Sequence, residues 1–427
     1  MLKHVQAVIL AGGRGARLGP LTRERAKPAV PFGCAYRIVD FALSNCLNSG
    51  LHRILVLTQY KAASLHRHIT LFWQRYFCRE RGEYVDIAPP QQQFPETWYQ
   101  GTADAVYQNL PAIEKERPEY VVILAGDHVY KMNYQPFIQH HVQRGADLTI
   151  GAIPVSRAEA AGQFGVLEVD RDDRVTGFQE KPADPQPMPG DAQRCLASMG
   201  IYVVTVRFLF EILGRDARQQ DSRHDFGGDI LPRILEAHRL FAYPFRHGSG
   251  GQTAYWRDVG TLDAFYEANL DLVSSAPQLD LNDESWPIRA YHPDCPAARF
   301  LSFNGERRGT VWQSMIGPGS TVLGGHVERS LIGRQCSLDA GAHVQDSILF
   351  DQVRVGRGVR LNRVIVDKGV SLPCGVEIGF DAALDLACGF TRSDGGVTVV
   401  PRDAAARLRA KSASGLPLLP ARPMCRV

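Results

Sequence analysis

Three glycines and three cations crowd one short stretch near the start of the chain. Gly12, Gly13 and Gly15 follow the apolar run Val5–Leu10, with Arg14, Arg17 and Lys27 among or just after them. Glycines let the backbone turn tightly and leave its amides bare. Guanidinium forks beside bare amides suit a polyphosphate. Neither common phosphate fingerprint is present. The P-loop needs Gly-Lys-Ser/Thr after its second glycine, and the dinucleotide fingerprint needs G-x-G-x-x-G, whereas the spacing here is G-G-x-G-x-R-L. The plainer alternative is a glycine-rich turn with surface arginines. Its place directly after a strand, and the Lys27-Pro28 pair downstream, favour the phosphate reading.

Joining two phosphorylated molecules needs positioning, charge neutralisation and a metal, and no protein nucleophile. Mg²⁺ takes one or two carboxylates together with phosphate oxygens. Asp127, after the apolar run Tyr120–Ala125, is the first candidate ligand; Asp258, in Trp256-Arg257-Asp258-Val259-Gly260, is the second. The alternative for either is a helix cap or turn former. Lys181, in Glu180-Lys181-Pro182, offers an ammonium to a sugar phosphate, although the triplet is equally a common surface sequence. Trp98-Tyr99 precedes a helix start and fits either a sugar contact or core packing. Gln91, Gln92 and Gln93 can read a base edge through their amides, or be plain loop residues.

These side chains need a scaffold. Short apolar runs at Val5–Leu10, Arg53–Thr58, Tyr120–Ala125, Asp147–Val155 and Gly200–Val206 predict strands. Between them, Leu65, Ile69, Phe72, Trp73 and Phe77 recur at helical spacing over 62–77. This alternation predicts an α/β fold, a parallel sheet wrapped by helices. Ligands of such sheets sit beyond the carboxyl ends of the strands, where both the glycine turn and Asp127 fall. Asp170–Arg174 and the proline-rich 182–189 predict turns or loops. After residue 310, apolar residues recur six apart: Ile332, Leu338 and Val344; Leu349, Val355 and Leu361; Val366, Leu372 and Ile378. That is the hexapeptide pattern of a parallel β-helix, an architecture whose ends and faces favour self-association. The expected division is a catalytic domain over 1–275, a linker over 276–305, the β-helix over 306–400 and a basic tail over 401–427.

The 427 residues, 44% apolar and 22% charged, fit a globular protein of two domains. A net charge of +3 suggests neither a nucleic-acid nor a membrane partner. Nine scattered cysteines without a Cys-x-x-Cys pair fit a reducing compartment rather than a disulfide framework or a zinc site. No signal or transit segment is read at the start, so a cytoplasmic location is expected.

The order of these motifs carries a resemblance. Leu10-Ala11-Gly12-Gly13-Arg14-Gly15-Ala16-Arg17, Arg25-Ala26-Lys27-Pro28, Gly101-Thr102-Ala103-Asp104, Leu124-Ala125-Gly126-Asp127-His128, Phe164-Gly165-Val166, Glu180-Lys181-Pro182, Ala197-Ser198-Met199-Gly200, Asp225-Phe226-Gly227 and Trp256-Arg257-Asp258-Val259-Gly260 follow one another. The whole resembles the sugar-phosphate nucleotidyltransferases, within them the bacterial glucose-1-phosphate adenylyltransferase branch. The resemblance implies a Rossmann-like catalytic domain with a mostly parallel sheet, then a left-handed parallel β-helix. It implies ATP and glucose 1-phosphate as substrates, Mg²⁺ as cofactor, a role in glycogen biosynthesis, phosphorylated effectors and a homotetramer.

By the same resemblance, Arg14, Arg17 and Lys27 hold the triphosphate beside Gly12, Gly13 and Gly15, and Asp127 and Asp258 hold the metal. Lys181 binds the sugar phosphate; Tyr99, Gly165, Glu180 and Ser198 line the sugar site; Gln91 or Gln92 faces adenine. Gln59 and Trp98 match loops that couple effector to active site, and Arg37 and Arg402 are effector candidates. One departure stands out. Relatives activated by fructose bisphosphate carry a cation where this chain has Glu24, and a carboxylate there opposes a phosphorylated activator. Another nucleotide or sugar preference, or a catalytically silent regulatory subunit, are the alternative functions.

Overall fold

A computed structural model describes residues 2–90, 98–247, 252–302 and 309–404. Gln91 and Gln92 lie outside the described residues, as does the basic tail beyond residue 404. Two compact units emerge, each built from separated stretches. The first takes residues up to Gly13, Val39–Trp256 and Trp286–Ile288; the second takes Arg14–Ile38, Arg257–Ser285 and the described chain from Arg289 onward.

The first unit is organised on strands β1 (Val5–Leu10), β2 (Arg53–Leu57), β3 (Tyr84–Ala88) and β4 (Tyr120–Ala125). They are parallel, in the order β3-β2-β1-β4. This is the expected parallel sheet. β1 is buried along both faces, which is why Val-Gln-Ala-Val-Ile-Leu reads as an almost unbroken apolar run. Beyond β4 the sheet changes direction. The remaining strands are β5 (Leu148–Ser156), β6 (Val166–Val169), β7 (Val175–Gln179), β8 (Arg194–Thr205) and β9 (Leu240–Pro244). β8 runs antiparallel to β4, β5 and β6, while β9 is parallel to β5. The pairing of β8 with β5 shifts register between Ser198 and Ile201, where Gly200 has φ +65°. Such a bulge re-aims side chains locally, and Ser198 is one of the expected sugar-site residues.

Helices α1 (Val39–Asn48), α2 (Thr102–Gln108), α3 (Tyr134–Arg144) and α4 (Val206–Asp216) belong to this unit. α2 and α4 bury Val106, Leu209 and Ile212 in one core with Ile123, Ile150 and Val204 of the sheet. The helix expected over 62–77 is helical but uneven: an α segment Ala63–His68, a wide π turn Ile69–Trp73 and a tight turn Gln74–Tyr76, with Phe77 extended. The π turn bonds residues five apart. It brings His68 and Trp73 to one buried acceptor, Asp40 Oδ1, at 2.6 and 2.7 Å. Among the described residues no helix is long and apolar enough to cross a membrane.

α3 carries a buried histidine with a consequence for stability. His141 lies between the hydroxyls of Thr149 and Thr205, at 2.9 and 3.1 Å. Burial lowers its pKa from 6.5 to about 4. The unfolded chain therefore takes up a proton that the folded chain refuses between those values. Stability is expected to fall as pH drops from about 6.5 towards 4, by up to about 3 kcal/mol from this group. Thermal midpoints followed across that range should lose part of their slope in His141→Gln; an unchanged slope overturns the assignment.

The second unit is the repeat domain with two earlier stretches attached. Its earlier coils advance 16 residues, as in Thr321 pairing Ser337, and the later ones 17, as in Leu338 pairing Val355 and Val355 pairing Leu372. Three sheets result, parallel except where Thr391–Arg392 runs antiparallel to Thr398–Val400, consistent with a left-handed β-helix. Ile332, Leu338, Val344, Leu349, Val355, Leu361, Val366, Leu372 and Ile378 all face its core. Arg299–Leu301 already pairs with Thr321–Leu323, so the coil starts inside the stretch read as linker. Within the same stretch Trp286 and Pro287 bond Asn45 and Asn48 of α1.

Residues 14–38 and 257–285 also cluster with the β-helix. Helix α5 (Leu262–Asp271) places Phe265 between Phe32 and Phe350, ring centroids 6.2 and 6.3 Å away. Its Asn269 accepts from Gly33 N at 2.9 Å, and Tyr266 donates to the Asp346 carbonyl at 2.6 Å. Arg25 Nη2 reaches both oxygens of Asp367, at 2.8 and 3.1 Å, with both side chains buried. None of these partners is near in sequence, so no local pattern announces the grouping.

Candidate functional site

β1 ends where the glycine turn begins. Gly12 is pressed against the loop after β2: a Cβ there would stand 3.2 Å from Gln59 Cβ, and its carbonyl accepts from Tyr60 N at 3.4 Å. The end of β4 closes on β1 as tightly. Gly126 N donates to the Leu10 carbonyl at 2.9 Å, and a Cβ on Gly126 would lie 2.9 Å from Ile9 Cγ2. Asp127 is therefore set at the carboxyl end of the parallel strands with little freedom, its side chain 29% exposed. His128 Nε2 lies 3.7 Å from its carboxylate. Trp256 stands edge-on to both His128 and Phe164, at 5.1 and 5.2 Å. Its buried indole N–H finds no acceptor among the described residues.

In the second unit, Gly15 and Lys27 are fitted to each other. Gly15 has φ +64°, a region that penalises a side chain, and a Cβ there would stand 2.7 Å from Lys27 Cβ. Lys27 is only 3% exposed. Its ammonium donates to Asp258 Oδ1 at 2.9 Å and to the Asp258 carbonyl at 2.7 Å. Arg17 Nη2 approaches Asp258 Oδ2 at 3.4 Å. Gly260 leaves room for this pair, since a Cβ would meet Asp258 Oδ2 at 2.4 Å and Arg17 Nη2 at 2.8 Å. Arg14 is exposed. Of the three cations, Lys27 is thus committed to orienting a carboxylate, and Arg14 and Arg17 are the accessible ones.

Gly165, Glu180, Lys181 and Ser198 come together in the first unit. Ser198 N donates to the Gly165 carbonyl at 2.8 Å, and Lys181 N to the Phe164 carbonyl at 3.2 Å. A Cβ on Gly165 would lie 3.0 Å from Glu180 Oε2. Lys181 has φ +49° and its ammonium bonds Glu180 at 2.5 Å. The structure adds residues that sequence reading left unassigned. Tyr202 bonds Ser198; burial and then the Asp225 carboxylate push its phenol well above the ordinary value, so it stays neutral. Phe226 stacks on Tyr202 with centroids 5.3 Å apart. Gly227 borders Glu180 so closely that a Cβ would stand 2.8 Å from Oε2. The signal was there in Asp225-Phe226-Gly227, but nothing local says which pocket that triplet serves.

The remaining candidates divide. Tyr99 lies in the core, and its hydroxyl accepts from Asn109 Nδ2 at 2.9 Å. Trp98 beside it is 66% exposed. Gln59 Nε2 donates to the Tyr99 carbonyl at 3.3 Å, so one side chain touches both this loop and Gly12. Arg37 and Arg402 meet at Lys368. Arg402 Nε donates to the Lys368 carbonyl at 3.2 Å. Desolvation lowers the Lys368 pKa; Arg37, Arg334 and Arg402 lower it further, against the pull of Asp351. Arg334 is paired with Asp351 at 3.0 Å.

The chain matches known protein families along most of its length. The nucleotidyl transferase family profile matches residues 6–275, and a GlmU-like C-terminal hexapeptide profile matches 296–400. A protein of Rhodopirellula baltica named glucose-1-phosphate adenylyltransferase is 57% identical over 94% of this chain and 91% of its own length. Proteins of the same name from Shewanella sp. (strain ANA-3) and Shewanella oneidensis are each 47% identical, over 94% of this chain and 96% of theirs.

Proposed function

Because this chain belongs to the nucleotidyl transferase family, in the company of glucose-1-phosphate adenylyltransferases, we propose that it makes ADP-glucose and pyrophosphate from ATP and α-D-glucose 1-phosphate. The observation that carries the reading is the 57% identity to a protein of that name across nearly the whole length of both. A phosphate oxygen of the sugar attacks the α-phosphorus of ATP in line, and pyrophosphate leaves without a covalent enzyme intermediate. Arg14 and Arg17, with the amides of Gly12, Gly13 and Gly15, grip the triphosphate and offset the charge that builds on pyrophosphate. Lys27 orients Asp258. Lys181 pairs with the sugar phosphate, while Glu180, Ser198, Tyr99 and the Gly165 backbone border the sugar.

Nucleotidyltransferases generally use a divalent metal, and we take Mg²⁺ to be the ion, with Asp127 and Asp258 as ligands. Aspartates supply the hard oxygens it prefers, and Asp127 is open enough to accept a hydrated ion. When bound, the metal draws charge from the phosphate oxygens. The test is pyrophosphate release from glucose 1-phosphate with ATP, UTP or dTTP. ATP is expected to dominate. Preference for another nucleotide overturns the base assignment, and no release with any of them favours a silent regulatory subunit.

The proposed setting is a cytoplasmic homotetramer serving glycogen biosynthesis. Its effector site is the group of Arg37, Lys368 and Arg402, supported by their meeting across distant sequence. Arg25 is engaged by Asp367 and Glu24 next to it is exposed. Activation by fructose 1,6-bisphosphate is therefore expected to be weak, and stronger in Glu24→Lys. Strong activation of the unaltered protein at micromolar effector overturns this reading.

A further inference from the structure

We propose that Asp216, Ser222 and His224 form a clamp that positions the wall of the glucose 1-phosphate pocket. The proposal rests on reading Gly165, Glu180, Lys181 and Ser198 as that pocket, and its test separates the two. Asp216 closes α4 and is 5% exposed. Both its oxygens are occupied. Oδ2 bonds His224 Nδ1 at 2.7 Å, and Oδ1 accepts from Ser222 Oγ at 2.6 Å with Arg233 Nη1 at 3.5 Å. Ser222 Oγ in turn accepts from His224 N at 3.0 Å. Ring and hydroxyl are thus gathered onto one buried carboxylate, and the amide onto the hydroxyl.

What the clamp holds is an unfavourable backbone. His224 has φ +55°, an uncommon conformation for a residue that carries a side chain, though one that histidine enters more readily than most. The reversal turns two successive carbonyls towards Gly101, where a Cβ would stand 2.4 Å from the Arg223 oxygen and 2.2 Å from that of His224. The His224 carbonyl then accepts from Ala103 N at 2.8 Å and Asp104 N at 3.3 Å. Gly101 has no side chain with which to cap α2, so the clamp's loop caps that helix from outside.

The residues that follow carry the loop to the Glu180 side chain. Asp225 Oδ2 accepts from Thr102 Oγ1 at 2.9 Å, and Thr102 Oγ1 accepts from Phe226 N at 3.0 Å. Asp225 Oδ1 takes Gly228 N at 2.9 Å. These bonds lock Phe226 on Tyr202 and Gly227 against the Glu180 carboxylate, itself bonded to Lys181. Loosening His224 therefore shifts the wall that Glu180 and Lys181 lean on. His224 and Asp216 are positioning residues, and their effect falls on one substrate.

Steady-state kinetics on the full-length protein test this. His224→Ala is expected to raise the KM for glucose 1-phosphate about tenfold, with the KM for ATP and kcat within about twofold. Asp216→Ala moves the same constant in the same direction. His224→Asn restores most of the affinity, because asparagine tolerates positive φ and keeps an N–H for Asp216. Lys181→Ala is the check on the pocket itself, and His141→Ala controls for plain destabilisation. A raised KM with Lys181→Ala but not with His224→Ala overturns the clamp and spares the pocket. No change in either overturns the pocket reading and the clamp with it. If both substrates lose affinity together, and His141→Ala does the same, the effect is loss of fold and the clamp is overturned. Should His224→Ala fail to fold, Asp216→Asn and His224→Asn still yield the two KM values that decide.

Discussion

Replacing Lys27 by methionine is expected to lower kcat/KM by on the order of a thousandfold. The ammonium is buried and donates to the carboxylate and the carbonyl of Asp258, so it fixes both the charge and the direction of that residue. Methionine keeps the length and removes the charge. The Asp258 carboxylate is then left without its nearest cation in a site that is mostly shielded from water. Breaking such a pair by removing one partner costs about 3–5 kcal/mol, more than the pair itself contributes. Arg17 is a useful contrast: its side chain is more than half exposed and stands at 3.4 Å, so water screens it and Arg17→Ala is expected to cost closer to tenfold. Pyrophosphate-release kinetics on both variants, beside their thermal midpoints, measure this. A Lys27→Met enzyme within tenfold of the parent would show that Asp258 needs no lysine to do its work.

Asp127→Ala is expected to remove turnover by on the order of a thousandfold or more, and excess Mg²⁺ should not restore it. The placement of the carboxylate is rigid, because Gly126 packs on Ile9 and bonds the Leu10 carbonyl. Rigidity matters here. A ligand held by a strand end loses little entropy on meeting an ion, and a flexible substitute cannot recover that advantage. Asp127→Asn keeps the shape and loses the charge, so it should be nearly as inactive. Glucose 1-phosphate binding, measured by calorimetry on the Asn variant, is expected to persist. Full turnover in either variant would falsify the metal assignment.

Much of the architecture was legible because its signal is local. β1 is apolar on both faces, so its residues declare a buried strand without reference to anything else. The β-helix repeats its inward positions with short periods, and each coil stacks on its neighbour in register. Candidates tied to such elements, the glycine turn and Asp127, sit where a strand end must put them. The helix over 62–77 was legible as helix but not as a π turn, since that turn answers to Asp40, far back on α1. The antiparallel course of β8 was not legible either, because an apolar run carries no direction.

Alone, then, the order of residues determined the kind of scaffold and the presence of phosphate-binding chemistry, through short-range periodicity and the special freedom of glycine. The folded chain decided which side chain serves which neighbour. Lys27 finds Asp258, Arg25 finds Asp367 and His224 finds Asp216 through hydrogen bonds that form once the core has packed. A lone charged residue has no period to betray its partner, and the free energy that selects the partner comes from burial, which exists only in three dimensions.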